Sequence, residues 1–384
     1  MDRKVNPVLR DIMKKIYRDR RPLPVNPRTA VRYEVVQDRV FSEIWFMTQG
    51  CFHDQNGGCT MCNYGKGHYV ACKELLQELE VRIGELPENL QELIVTPTGS
   101  MLDEQEVPQE LFVEILKLLE PITASNFFVE TRADTVLAEK LGMMRQYIHA
   151  DRIYIEMGVE ACNDWILRNC VNKNMDMEEL RQALGIIHSM NMYACANIGI
   201  GIPFLSERMS IKTAADSVKS AFDMGFDSVV LFPYHIKPGT LSAHLWELGD
   251  YQCCSLWALI EVLRMLPVEM LGQTHISWYR NYYDDQKKIL LSPDTCDACR
   301  EEVLRLLDAY KNYPGEKTRE KLLSLSCECR DTWKQKMLSQ PDYVDMDRIA
   351  EIYRRLGHRF GIHMDIVEQE IIDMAKTCGR YGDV

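Results

Sequence analysis

The 384-residue chain reads as an α/β protein, a partial (β/α)6 barrel followed by a helical C-terminal region. Three observations predict this. From residue 39 to about 285, short runs rich in β-branched and aromatic residues alternate with stretches of helical periodicity, the pattern of a parallel sheet with right-handed crossovers. Six such runs occur, enough for a partial barrel. Beyond about residue 290 the β-rich runs stop and helical patterns remain. The chain thus divides into a basic N-terminal arm over 1–38, a core over 39–285 and a helical region over 286–384.

The six strand candidates are 40–47, 92–96, 126–131, 152–158, 193–200 and 228–233, each bounded by polar or turn residues. Between them, 176–190 places Leu180, Ala183, Leu184 and Ile187 on one helical face, and 211–224 is a second amphipathic stretch. The C-terminal helices are expected at 300–310, 317–325, 345–356 and 364–376. Ligands of such sheets bind at the carboxyl ends of the strands, which directs attention to the residues following each run.

Composition is that of a globular protein, 46% hydrophobic and 27% charged. No apolar run approaches the roughly 20 residues of a membrane helix. The first twenty residues alternate charged and apolar character, so neither a membrane span nor a secretory signal is expected and the reading is cytoplasmic. The net charge of −12 disfavours a whole-protein polyanion receptor. Residues 1–32 nevertheless hold ten Lys/Arg against three Asp/Glu. Arg18, Arg20, Arg21, Arg28 and Arg32 could touch phosphates; the alternative is an amphipathic helix over 8–16 packed on the core.

Fourteen cysteines in such a chain point to ligands rather than a disulfide framework. Cys51, Cys59 and Cys62 follow the first strand candidate with spacing Cys-x7-Cys-x2-Cys. Three soft thiolates on one loop suit three corners of a cubane iron–sulfur cluster, and Gly50, Gly57 and Gly58 let backbone close around it. The alternative is zinc, with His53, His68 or Cys72 as fourth ligand, although structural zinc loops usually pair two Cys-x2-Cys knuckles. A second set, Cys296, Cys299, Cys327 and Cys329, forms Cys-x2-Cys and Cys-x-Cys pairs that could bind zinc, bind an auxiliary cluster, or hold no metal. The other seven cysteines carry no spacing signal and read as small hydrophobes.

Several segments then resemble the radical S-adenosylmethionine (SAM) superfamily, and more narrowly the archaeosine-synthase radical SAM subunit family. They are Gly57-Gly58-Cys59-Thr60-Met61-Cys62-Asn63-Tyr64-Gly65, Thr98-Gly99-Ser100-Met101-Leu102-Asp103, Val129-Glu130-Thr131-Arg132, Gly158-Val159-Glu160-Ala161 with Asn172-Lys173, Lys237-Pro238-Gly239-Thr240 through Leu245-Trp246 with Leu256-Trp257, and Cys327-Glu328-Cys329. Asn63 departs from the glycine usual in the family. The resemblance implies a radical SAM partial barrel with a [4Fe-4S] cluster on Cys51, Cys59 and Cys62, its fourth iron left open for SAM. It implies reductive cleavage of SAM to a 5′-deoxyadenosyl radical, then C–N cleavage of a lysine adduct of a 7-deazaguanine base in tRNA. An electron donor of flavodoxin or ferredoxin type, tRNA and a partner subunit follow as partners. Two other readings stand beside it: radical SAM modification of a small molecule or peptide in a biosynthetic pathway, and a non-catalytic zinc-stabilised binding module.

The remaining candidates lie at strand ends. Gly99 and Ser100 follow the second strand candidate, where carbonyls could receive the SAM amino group; a plain β-turn is the alternative. Glu130 and Arg132, alternating on one strand, suit ribose hydroxyls and the SAM carboxylate, or a surface salt bridge. Asn197, polar among apolar neighbours, suits ribose or a core hydrogen bond. Glu156 and Glu160 flank Gly158 and are candidate catalytic carboxylates for SAM or a lysine-bearing substrate, or helix N-terminal charges.

Overall fold

A computed structural model describes residues 5–37, 39–281 and 289–378. Eight strands form one sheet in chain order: β1 (Thr29–Val36), β2 (Arg39–Phe46), β3 (Leu90–Pro97), β4 (Thr123–Thr131), β5 (His149–Glu160), β6 (Tyr193–Ile200), β7 (Ser228–Pro233) and β8 (Thr274–Ile276). β1 pairs antiparallel with β2 and every later pair is parallel. The sheet curls into an open half-barrel with β1 and β8 as its two edges.

The six expected strands are β2 to β7. β1 lies inside the stretch read as a basic arm. It is an exposed edge with Arg32 and Glu34 among its side chains, so a charge run covers a strand that buries little. β8 has three residues, too few for a visible alternation. The arm's first four residues lie outside the described residues. Over Pro7–Asp19 it forms a helix capped by Asn6, whose side chain accepts from Leu9 N–H. Val8, Leu9, Ile12, Met13 and Ile16 are buried beneath it, the packed alternative expected for 8–16.

Helices Cys72–Gly84, Gln109–Leu119, Ala138–Tyr147, Met177–Ser189, Glu207–Met224 and Leu256–Met265 join successive parallel strands. Local chemistry fixes their limits. Asp176 accepts from Glu179 N–H and Ser206 from Met209 N–H at helix starts, and Gly225, at φ +106°, ends Glu207–Met224. Along β2 to β7 the residues facing these helices are apolar and buried: Ile44 and Phe46, Leu93 and Val95, Phe127 and Val129, Ile153, Ile155 and Met157, Ala194, Ala196 and Ile198, Val229 and Leu231. The alternate residues line the concave face, and many are polar: Glu43, Glu92, Thr96, Asn126, Glu130, Glu156 and Asn197. A parallel sheet buried on both faces would read as unbroken apolar runs; this alternation marks a face kept for something else.

The C-terminal region contains helices Arg300–Asn312, Glu316–Leu323, Glu328–Leu338, Met346–Phe360 and Met364–Cys378. Glu328–Leu338 was not expected, because only Arg330, Trp333 and Met337 are buried along it and no apolar stripe announces it. No helix among the described residues is long and apolar enough to cross a membrane.

Candidate functional site

The loop after β2 carries Cys51, Cys59 and Cys62 at the carboxyl end of the sheet. Cys51 starts a single helical turn, Phe52–Gln55, and Gly57, at φ +91°, turns the chain back. A Cβ on Gly57 would lie 2.5 Å from the Arg10 carbonyl, so the loop and the N-terminal helix meet backbone to backbone. Burial pushes all three thiols up, Cys62 to about 12. Each is opposed by its own cation: Arg132 acts on Cys51, Lys173 on Cys59 and Lys237 on Cys62. Arg132 Nη1 stands 3.8 Å from Cys51 Sγ.

Four segments hold the loop. Arg20 pairs with buried Asp54, donates to the Cys62 carbonyl at 3.2 Å and to the Gly239 carbonyl at 2.8 Å. Asp54 also accepts from Gly65 N–H at 2.6 Å. Asn172, at φ +61°, donates to the carbonyls of Gly57 (2.7 Å) and Gly58 (3.0 Å). Thr60 donates to the carbonyls of Val171 and Cys170, and accepts from Ser242 through its own carbonyl. Buried Glu106 accepts from Thr48 Oγ1 and from the N–H groups of Gly99 and Ser100 at 2.5, 2.6 and 2.7 Å. It thereby joins the loop to the turn after β3. A Cβ on Gly99 would meet Cys51 Cα at 2.8 Å, so only glycine lets this turn reach the cysteine.

The other expected residues gather around this loop. Ser100 Oγ bonds Thr131 Oγ1 at 2.7 Å and accepts from Arg132 N–H. Arg132 pairs with Asp103 at 2.8 Å and Asp134 at 3.0 Å. Glu130 accepts from Thr96 Oγ1 at 2.5 Å. Glu156, opposite Glu130 in the sheet, is bonded to Asn197, and the Asn197 Oδ1 atom is buried without a protein partner. Desolvation, with the Glu130 charge beside it, pushes the Glu156 carboxyl up to about 8. Desolvation likewise lifts Glu92 to about 7. Glu160 sits apart from Glu156, at φ +67° past a register shift in β5. Its oxygens take Lys173 Nζ at 3.1 Å and Tyr234 OH at 2.6 Å. Burial works against the Lys173 charge, but Glu160, Cys59 and Cys51 keep it protonated. Toward the other end of the strands, Phe128 stacks on Tyr154 at 4.5 Å and Tyr154 leans on Tyr193 at 5.2 Å, an aromatic floor under the carboxylates.

Among the described residues, those offered as a fourth zinc ligand for this loop are otherwise engaged or exposed. His53 Nε2 bonds the Asn172 carbonyl at 3.0 Å, and desolvation drops its pKa to about 4, so it donates as neutral imidazole. His68 Nε2 bonds the Leu23 carbonyl, and Cys72 is exposed at a helix start. Of the arm's arginines, Arg20 is buried and Arg28 pairs with Glu74 and Glu78. In the C-terminal region, the sulfurs of Cys296, Cys299, Cys327 and Cys329 all lie within 4.8 Å of one another. Sequence reasoning did not single out Asp54, Glu106 or Tyr234, and gave Asn172, Lys173 and Lys237 no role although they stand within the segments that carry the resemblance.

No family model matches the chain. Among curated proteins it is 26% identical over 318 residues to archaeosine synthase subunit beta of Methanosarcina acetivorans, covering 80% of this chain and 88% of the relative. The Thermococcus kodakarensis protein of the same name is 24% identical over 308 residues, covering 75% and 88%. Among solved structures, methylornithine synthase (PylB) aligns with TM-score 0.46 at 12% identity over 83% of this chain and 92% of its own. The radical S-adenosylmethionine methyltransferase TsrM of Kitasatospora setae aligns with TM-score 0.44 at 10% identity over 76% and 61%. The chain thus joins a half-barrel that carries three thiols on one loop at its carboxyl end to a sequence similar to these archaeosine synthase beta subunits.

Proposed function

We propose that this chain is a radical SAM enzyme acting as a C–N lyase on a lysine adduct of a 7-deazaguanine base in tRNA, in the cytoplasm and together with a partner subunit. The carrying observation is the pairing of the three-thiol loop with a carboxylate-lined concave face. Cys51, Cys59 and Cys62 fit a [4Fe-4S] cluster in donor type, burial and the glycine-closed backbone around them. When bound and reduced by a flavodoxin- or ferredoxin-type donor, the cluster supplies the electron that cleaves SAM and so yields the 5′-deoxyadenosyl radical.

The chain's share is orientation and exclusion of water. Gly99 and Ser100, fixed by Glu106, present backbone to the SAM amino group. Arg132 exchanges a carboxylate partner for that of SAM. Glu130 and the free Asn197 Oδ1 atom receive ribose hydroxyls. Glu156, backed by Glu43 and Glu92, receives the lysine ammonium of the substrate. A carboxyl that holds its proton until a cation arrives is suited to this, because the arriving charge favours ionisation. Glu160 positions Lys173 beside the cluster thiolates rather than touching substrate.

The test is anaerobic reconstitution with dithionite, SAM and lysine-adduct tRNA, with detection of 5′-deoxyadenosine and of the amidine-bearing base. Both products are expected. Deoxyadenosine formation with an unchanged base removes the tRNA lyase reading and leaves modification of a small molecule or peptide, which the acidic net charge of −12 also suits.

A further inference from the structure

We infer that Cys296, Cys299, Cys327 and Cys329 bind a single zinc ion, separate from the cluster loop, that fastens the C-terminal helices to the half-barrel. From spacing alone this set was compatible with zinc, a second cluster or no metal. The geometry separates them.

Cys296 Sγ lies 3.6 Å from Cys299 Sγ and 3.5 Å from Cys327 Sγ, and Cys299 Sγ lies 3.6 Å from Cys329 Sγ. All four sulfurs fall within 4.8 Å of one another. Four thiolates at about 2.3 Å from one zinc, in a tetrahedron, sit about 3.8 Å apart. A cubane places each thiolate on a different iron, which spreads the sulfurs across an iron–iron edge and beyond this compact set. Disulfide bonding would bring pairs to about 2 Å.

The surroundings suit a doubly negative tetrathiolate centre. Cys299 and Cys327 are the residues on which helices Arg300–Asn312 and Glu328–Leu338 begin, so two helix N-termini point at the sulfurs. Trp257 Nε1 donates to Cys329 Sγ at 3.3 Å, and the Cys296 backbone N–H donates to the same sulfur. Arg330 lies 5.1 Å over the Trp257 ring.

The ion would knot three elements at one point. Arg300–Asn312 covers the edge strand β8, where Tyr310 OH donates to the carbonyls of Leu271 and Thr274. Glu328–Leu338 reaches the barrel helix Glu207–Met224 through Trp333 Nε1 on Glu207 at 3.1 Å. Trp257 belongs to the barrel helix Leu256–Met265. This also accounts for Glu328–Leu338, a helix with little apolar surface to hold it.

Metal analysis and zinc-edge X-ray absorption on the full-length protein test this, with a Cys51→Ala/Cys59→Ala/Cys62→Ala variant beside it. One zinc per chain is expected in both, with a single shell of four sulfurs at about 2.3 Å. Iron should be confined to the parent. Adding Cys296→Ser and Cys329→Ser should abolish zinc. Because that variant can misfold, the absorption spectrum of the parent decides on its own. Absence of zinc, nitrogen or oxygen ligands in the shell, or iron that persists in the triple variant without zinc would each overturn the inference. None of these outcomes depends on turnover, so the site stands or falls apart from the proposed reaction.

Discussion

Glu156 meets the concave face as an acid that keeps its proton at neutral pH, because burial and the neighbouring Glu130 disfavour its charge. Its folded value lies above its ordinary one, so its contribution to stability is complete below pH 4.5. That contribution is lost as pH rises toward about 8. The denaturation midpoint of the parent should therefore fall between about pH 5 and pH 8, and Glu156→Gln should flatten that fall; equal slopes would show that the carboxyl is already ionised. Beside the three-thiol loop, Lys237 opposes the build-up of negative charge at Cys62 while donating to Tyr64 OH at 2.8 Å. Replacing it with methionine should make the reconstituted cluster harder to reduce, its midpoint potential falling by on the order of 50 mV in an EPR-monitored titration. No shift would mean that solvent already screens this charge.

At the scale of elements, the cluster loop is held less by its own sequence than by what crosses it. The N-terminal helix delivers Arg20 to Asp54, the segment after β5 delivers Asn172, and the turn after β3 delivers Glu106. Arg20→Ala strands Asp54 in the interior, and loss of one partner of a buried pair costs about 3–5 kcal/mol. Equilibrium unfolding should register that loss together with weaker iron retention; an unchanged midpoint would show that Asp54 simply takes up its proton. The six central strands were legible because each alternates and ends in a turn, and the three cysteines because they follow the first of those strands. Arg20 was not, since a lone arginine in a charged helix carries no mark of the carboxylate 34 positions away that it will meet. Neither β1 nor Glu328–Leu338 buries the apolar stripe that periodicity detects. Glu156 and Glu160 looked equivalent around Gly158; only the register shift in β5 separates the one facing Asn197 from the one locked to Lys173 and Tyr234.

For the whole molecule, the acidic balance bears on how tRNA would be met. Arg18 and Arg21 are exposed, while Arg20 and Arg28 are engaged within the chain. Two phosphate contacts correspond to a slope of about −2 in log affinity against log salt, so Arg18→Ala/Arg21→Ala should reduce the measured slope by about that much. A larger change would mean that the substitutions disturb more than those two contacts; none would place the RNA elsewhere. Among the described residues the sheet, finally, stays open between β1 and β8. A sealed barrel admits only what passes through its mouth, and so demands that a nucleoside be detached or swung far from its polymer. An unsealed trough can be entered from the flank, so a base still tethered at both phosphates can be laid in sideways. Under the proposed reaction, a lysine-bearing group would then reach the carboxylates while its bulky carrier stayed outside.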